Sequence, residues 1–203
     1  MNQWLGPWRA SGKGVVPYDL AKSMVITDLH GFGARAEASP MTVVEQILDR
    51  LLGMVSGVCR EFGGTNRVGE ADAYCLTFPD AGLTLAAVER LAEAWGTFER
   101  GEGFRCPMNV AVHQGVLYAF RSSLYSRDLA VAVAVESATS RLPPGDPSIF
   151  ITERVRLDLV GTPWEQRLQP VDVQPASPRL AGIAIYRLGK AVMDSYAPPP
   201  GAG

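Results

Sequence analysis

Ser23-Met24-Val25-Ile26-Thr27-Asp28-Leu29-His30-Gly31-Phe32-Gly33 is the stretch on which the reading of the fold turns. A short, mostly apolar run stops at an aspartate and passes into a glycine-flanked turn, the pattern of a buried strand that ends in a loop. Pro40 follows. From Met41 to Phe62 the residues Val43, Val44, Ile47, Leu48, Leu51, Leu52, Val55, Val58 and Cys59 recur at helical spacing, and Gly63-Gly64 closes the element. A strand feeding a long one-sided helix predicts a sheet with that helix laid over it.

Thr65–Val68 and Ala73–Phe78 read as two strands meeting at Gly69-Glu70-Ala71-Asp72, a hairpin with an acidic tip. A second amphipathic helix is predicted over about 83–100, with Leu85, Val88, Leu91, Ala92, Trp95 and Phe98 on its apolar side. Strands are expected at about 108–113 and 115–120, then an Ala/Val-rich stretch leading into a helix that ends near Leu142. Further strands are expected at 148–152, 167–171 and 182–188. Residues 1–21, with Trp4, Trp8 and no period, read as an irregular arm, and 191–203 as a disordered tail. The domain is expected over 22–190.

The bulk composition narrows the function classes. A chain of 203 residues with 47% apolar and 20% charged residues is sized for one globular domain with a full core. A net charge of −2 argues against bulk nucleic acid or an anionic membrane as the main partner, since either demands a basic surface. Cys59, Cys75 and Cys106 show no metal-ligand spacing and are expected to be plain buried thiols. With no apolar run of membrane-spanning length and no signal pattern, the expected location is cytoplasmic.

In order along the chain, these elements resemble the catalytic domain of the class III nucleotidyl cyclases. Val25-Ile26-Thr27-Asp28-Leu29-His30-Gly31-Phe32 resembles that family's opening strand and turn. Gly63-Gly64-Thr65 through Gly69-Glu70-Ala71-Asp72-Ala73 resembles its acidic hairpin, with Ala71 where the family carries glycine. The two aspartates stand 44 residues apart, and Val110-Ala111-Val112-His113-Gln114-Gly115 resembles the family's later strand and turn.

The resemblance implies a ferredoxin-like α/β fold, an α+β sandwich whose mixed, mostly antiparallel sheet is covered by helices. It implies a metal-dependent nucleotidyl cyclase that turns a nucleoside triphosphate into a cyclic monophosphate and pyrophosphate, through a head-to-tail homodimer. Asp28 and Asp72, with the carbonyl of Leu29, would hold two Mg²⁺ or Mn²⁺ ions, and His30, Gly31, Phe32 and Gly33 would offer backbone N–H groups to the phosphates. Taken alone, Asp28 and Asp72 are also ordinary turn acids. His113 and His30 lack partners for catalysis, and His113 is expected to be a packed or turn histidine.

Two positions depart from the family. Its purine-reading lysine is Val68 here, which cannot donate to a base, and the neighbouring Arg67 is expected on the opposite face of the strand. An unusual base preference follows. The family's Asn-x-x-x-Arg pair, which orients the ribose and stabilises the transition-state phosphate, admits two registers. In one, Ser137 replaces the asparagine and Arg141 keeps the arginine; in the other, Leu124-Tyr125-Ser126 is the turn before the helix, and Ala130 and Ala134 fill both positions. The first keeps a catalytic cation; the second gives a silent domain that serves as nucleotide sensor or partner subunit.

Overall fold

The computed structural model describes residues 23–120, 123–143, 148–173 and 177–190. The expected arm at 1–21 and tail at 191–203 lie outside the described residues. Strand β1 (Ser23–Leu29) runs into a short helix α1 (Phe32–Glu37), then α2 (Met41–Glu61). The hairpin follows as β2 (Thr65–Glu70) and β3 (Ala73–Phe78), then α3 (Ala81–Glu102) and β4 (Met108–Gln114). A two-stranded ribbon of β5 (Tyr118–Phe120) and β6 (Ser123–Tyr125) precedes α4 (Arg127–Thr139). The remainder is β7 (Ser148–Thr152), α5 (Glu153–Asp158), β8 (Leu168–Val171) and β9 (Ile185–Leu188), with single 3-10 turns at Glu165–Arg167 and Pro178–Leu180.

Seven strands form one sheet in the order β2-β3-β1-β4-β7-β9-β8, antiparallel throughout except for the parallel pair β4 and β7. This is the mixed, mostly antiparallel architecture expected. β1 lies at its centre, paired with β3 on one side and β4 on the other.

The two faces are covered by different helices. Alternate residues of a strand point to opposite sides, so Val25 and Leu29 of β1, Leu76 and Phe78 of β3, and Val110 and Val112 of β4 join α2 and α3 in the larger core. On α2 the buried residues Val44, Ile47, Leu51, Val55 and Val58 keep the three- and four-residue spacing read from the sequence. Asp80 caps α3, its side chain accepting from Leu83 N at 2.9 Å, and Gly103 ends that helix at φ 67. On the opposite face, Ala111, Phe150 and Ile185 pack with Ala134, Val135 and Ala138 of α4 in a second, smaller core.

Several expected boundaries move. The strand foreseen over 115–120 is only Tyr118–Phe120 and belongs to the separate ribbon. The helix expected to end near Leu142 ends at Thr139. Helices α1 and α5, six residues each, were not foreseen; at under two turns neither leaves a readable period in the sequence. All three cysteines are buried and free, as expected.

Candidate functional site

The pairing of β1 with β3, Thr27 opposite Tyr74, carries the end of β1 to the tip of the hairpin. Asp28 and Asp72 therefore come together from strand ends 44 residues apart. Burial pushes the Asp28 carboxyl up to about 6, and the neighbouring charges of Asp72 and Glu136 push in the same direction. Burial also raises Asp72. The Leu29 backbone N–H favours the ionised form of both, and no salt bridge among the described residues includes either.

A half-buried carboxyl with a second acid's charge acting on it and no salt bridge among the described residues is poorly satisfied: burial and the charge of Asp72 disfavour ionisation of Asp28, burial does the same to Asp72, and a hard divalent ion would relieve both. This donor chemistry fits Mg²⁺ or Mn²⁺. Among the described residues no set of three or more His, Cys, Asp or Glu side chains converges to hold a metal. A two-carboxylate site completed by backbone, water and substrate phosphate is the usual manner for Mg²⁺.

Glu136 is a further acid whose charge raises the Asp28 carboxyl and that the sequence reading missed; it does not converge with Asp28 and Asp72 into a three-acid metal set among the described residues. Its charge acts on Asp28 because α4 packs over β4, β1 and β7, and Asn109, directly opposite Asp28 in the β1–β4 pairing, fastens Glu136. Asn109 Nδ2 donates to Glu136 Oε1 at 3.0 Å, to the Glu136 carbonyl at 3.2 Å and to Thr139 Oγ1 at 3.2 Å. A buried asparagine at the start of an apolar strand was the available signal.

The loop after β1 differs from an open phosphate cradle. Gly31 takes the left-handed conformation, φ 77, and starts α1; Phe32 is buried in the larger core. The His30 backbone N–H is committed to the Pro107 carbonyl at 2.9 Å, and its side chain is exposed. That removes one of the four expected N–H donors, leaving Gly31, Phe32 and Gly33 at the start of α1. Leu29 buries its side chain in the same core and pairs with Met108.

The hairpin tip turns at Ala71, φ 53, the only described non-glycine residue with positive φ. Val68 stands opposite Cys75 in the ladder; its side chain lies outside the described residues. Arg67 does not lie where strict alternation put it. The β2–β3 register shifts between Asn66, opposite Leu76, and Val68, opposite Cys75, so Arg67 is an extra residue in a bulge. Its Nε donates to Thr77 Oγ1 at 2.8 Å. Thr77 pairs with Met24 and Cys75 with Ile26, on the face that Asp28 shares. The expectation of an opposite-facing Arg67 is therefore corrected: the bulge rotates it onto the Asp28 face.

On α4, Ser126 caps the helix by accepting from Asp128 N at 3.0 Å and Leu129 N at 3.3 Å, and the strand ending in Leu124-Tyr125 runs directly into it. Ser137 is exposed in the last turn. Arg141, also exposed, stands two residues past the helix end rather than on it. Ala134 is buried in the smaller core and Ala130 is half-buried. The only cation on α4 itself is Arg127, its first residue.

His113 is a packed histidine, as expected. It is 4% exposed, with Nδ1 2.8 Å from Thr152 Oγ1 and Nε2 3.6 Å from Asp128 Oδ1. Asp128 also accepts from Val116 N at 2.8 Å and Arg154 Nη1 at 2.9 Å. These bonds tie the first turn of α4 to the end of β4 and to α5.

No protein-family model matches this sequence, and no curated protein matches it. Solved structures do. The adenylyl cyclase CyaB of P. aeruginosa superposes with a TM-score of 0.61 at 14% identity, over 85% of this chain and 95% of that one. The guanylyl cyclase Cya2 gives 0.64 at 18% identity, over 85% of this chain and 94% of that one. A bacterial light-regulated adenylyl cyclase gives 0.68 at 14% identity, over 86% of this chain and 53% of the longer partner. The fold is that of class III cyclase catalytic domains. Among the described residues no helix is long and apolar enough to cross a membrane.

Proposed function

We propose that this domain binds a nucleoside triphosphate together with Mg²⁺ or Mn²⁺ at Asp28 and Asp72, and acts as a nucleotide sensor or as the metal-bearing partner in a cyclase dimer. The observation that carries the reading is the contrast between the two halves of the site. The acid half is supported by half-buried Asp28 at the end of β1 and half-buried Asp72 at the hairpin tip, whose charge acts on Asp28, with no salt bridge to either among the described residues. The cation half is weak: α4 has no arginine beyond its first residue.

The resemblance places the ribose-orienting asparagine and the transition-state arginine on this helix. The direct passage from Leu124-Tyr125-Ser126 into α4 favours the register that fills both positions with Ala130 and Ala134. Losing an arginine with that role costs about 10³ to 10⁵ in rate, which separates binding from turnover. Ions held by Asp28 and Asp72 would neutralise phosphate charge and favour ionisation of the ribose 3′-hydroxyl. The chain's own carboxylates would hold such ions, and the first-turn N–H groups of α1 would be offered to the phosphates.

A second reading, a working nucleotidyl cyclase with an unusual base preference, is favoured by one observation: Ser137 and Arg141 are both exposed, so Arg141 is open to a partner protomer's acids in a head-to-tail homodimer. Incubating the purified protein with each of the four NTPs and Mn²⁺ separates the readings. Saturable binding without cyclic product by mass spectrometry supports the first, cyclic product the second. Binding unaffected by Asp28→Asn overturns both.

A further inference from the structure

The bulge in β2 places a half-buried guanidinium on the face of the sheet that carries Asp28. Arg67 spends its Nε on Thr77 Oγ1, and no carboxylate among the described residues pairs with it. Thr77 lies opposite Met24, four residues along β1 from Asp28, which puts the anchor of Arg67 about 13 Å from the acid end at ordinary strand rise. Because Nε is already fixed at Thr77, that separation places the guanidinium itself, and it is on the order of the reach of a nucleotide from its phosphates to its base edge. β2 is an edge strand, and the side chain reaches inward from it to Thr77 on β3.

We infer that Arg67 reads the nucleobase and selects an edge with two adjacent hydrogen-bond acceptors, those of guanine or cytosine, over adenine and uracil. The inference rests on the nucleoside-triphosphate reading above. An arginine offers donors and no acceptor. With Nε committed to Thr77, the end-on pair of Nη1 and Nη2 hydrogens remains, and such a fork matches two acceptors side by side. Guanine presents O6 and N7 in that way, and cytosine presents O2 and N3. Adenine sets an amino donor beside each of its outer acceptors, and uracil separates its two carbonyls by an N–H, so each meets the fork with one bond at most. Burial sharpens the discrimination, because a half-buried guanidinium covered by a base and left facing an amino group has fewer waters to compensate it.

The test is equilibrium binding of ATP, GTP, CTP and UTP, and of inorganic tripolyphosphate, to the full chain with Mg²⁺, for wild type, Arg67→Met and Arg67→Lys. Wild type is expected to hold GTP or CTP about tenfold or more tighter than ATP and UTP, the lower range of what one bidentate base contact discriminates. Arg67→Met should bring the four NTPs within about threefold of one another and leave tripolyphosphate affinity unchanged. Arg67→Lys, which keeps the charge but not the fork, should lose most of the preference too. GTP against CTP in the same series identifies which acceptor pair is read. Equal affinity for all four NTPs in wild type, or a preference that survives Arg67→Met, overturns this inference and leaves the proposed function standing. If neither tripolyphosphate nor any NTP binds, the proposed function falls and the inference with it.

Discussion

The carboxylates of Asp28 and Asp72 lie within each other's field at the end of β1, and the backbone N–H of Leu29 favours the ionised form of both. Leu29 also pairs with Met108, so the group that steadies the acids is held by the sheet itself. Asp28→Asn and Asp72→Asn are each expected to weaken Mg²⁺-dependent nucleotide binding by about tenfold or more, since a two-carboxylate site has no spare ligand. Calorimetric titration of NTP with and without Mg²⁺ measures this.

The same acids set a pH dependence in the metal-free protein. Asp28 ionises near 3.8 when unfolded and near 6 when folded. Between those values the native state holds a proton that the unfolded chain has released, so stability falls as pH rises through the window and levels off above 6. After discounting for partial solvent screening the loss is ~1–2 kcal/mol. Urea denaturation at pH 4.5 and pH 7.5 should show Asp28→Asn gaining more relative to wild type at the higher pH.

Arg141 stands past the end of α4 and faces solvent. Arg141→Ala is expected to leave nucleotide affinity within a few-fold. If wild type yields cyclic product, the same change should lower the rate by ~10³ or more with binding intact, the signature of a contact made in the transition state.

Ala71 holds the left-handed conformation at the hairpin tip, φ 53. Glycine takes that conformation without the steric cost that a Cβ incurs, which is about 1–2 kcal/mol. Part of the relief is offset by the freer unfolded chain. Ala71→Gly should therefore raise stability by ~0.5–1 kcal/mol, read as a higher midpoint in chemical denaturation with an unchanged slope.

Asp128 accepts from the Val116 backbone and from Arg154 and lies beside the buried His113. Asp128→Ala leaves the Val116 N–H without its acceptor and the start of α4 untied, and should cost ~1–3 kcal/mol. Hydrogen exchange should rise first in the early turns of α4 and at the end of β4.

The local pattern of the chain was enough to place what depends on neighbours in sequence. The apolar spacing over 41–62 required a one-sided helix, the run at 23–29 required a buried strand, and the acids at positions 28 and 72 stood at recognisable strand and hairpin ends, because period and turn chemistry act over a few residues. Tertiary structure alone decided the rest. Arg67 changed faces because the bulge is set by how β2 pairs with β3, not by β2 itself. The charge of Glu136 acts on Asp28 because α4 packs across β1 and Asn109 fastens Glu136 there, although the two acids are more than a hundred residues apart in the chain. Alternation along a strand is a local rule, and a register shift breaks it from outside; proximity of charges belongs to packing, and no window of sequence contains both partners.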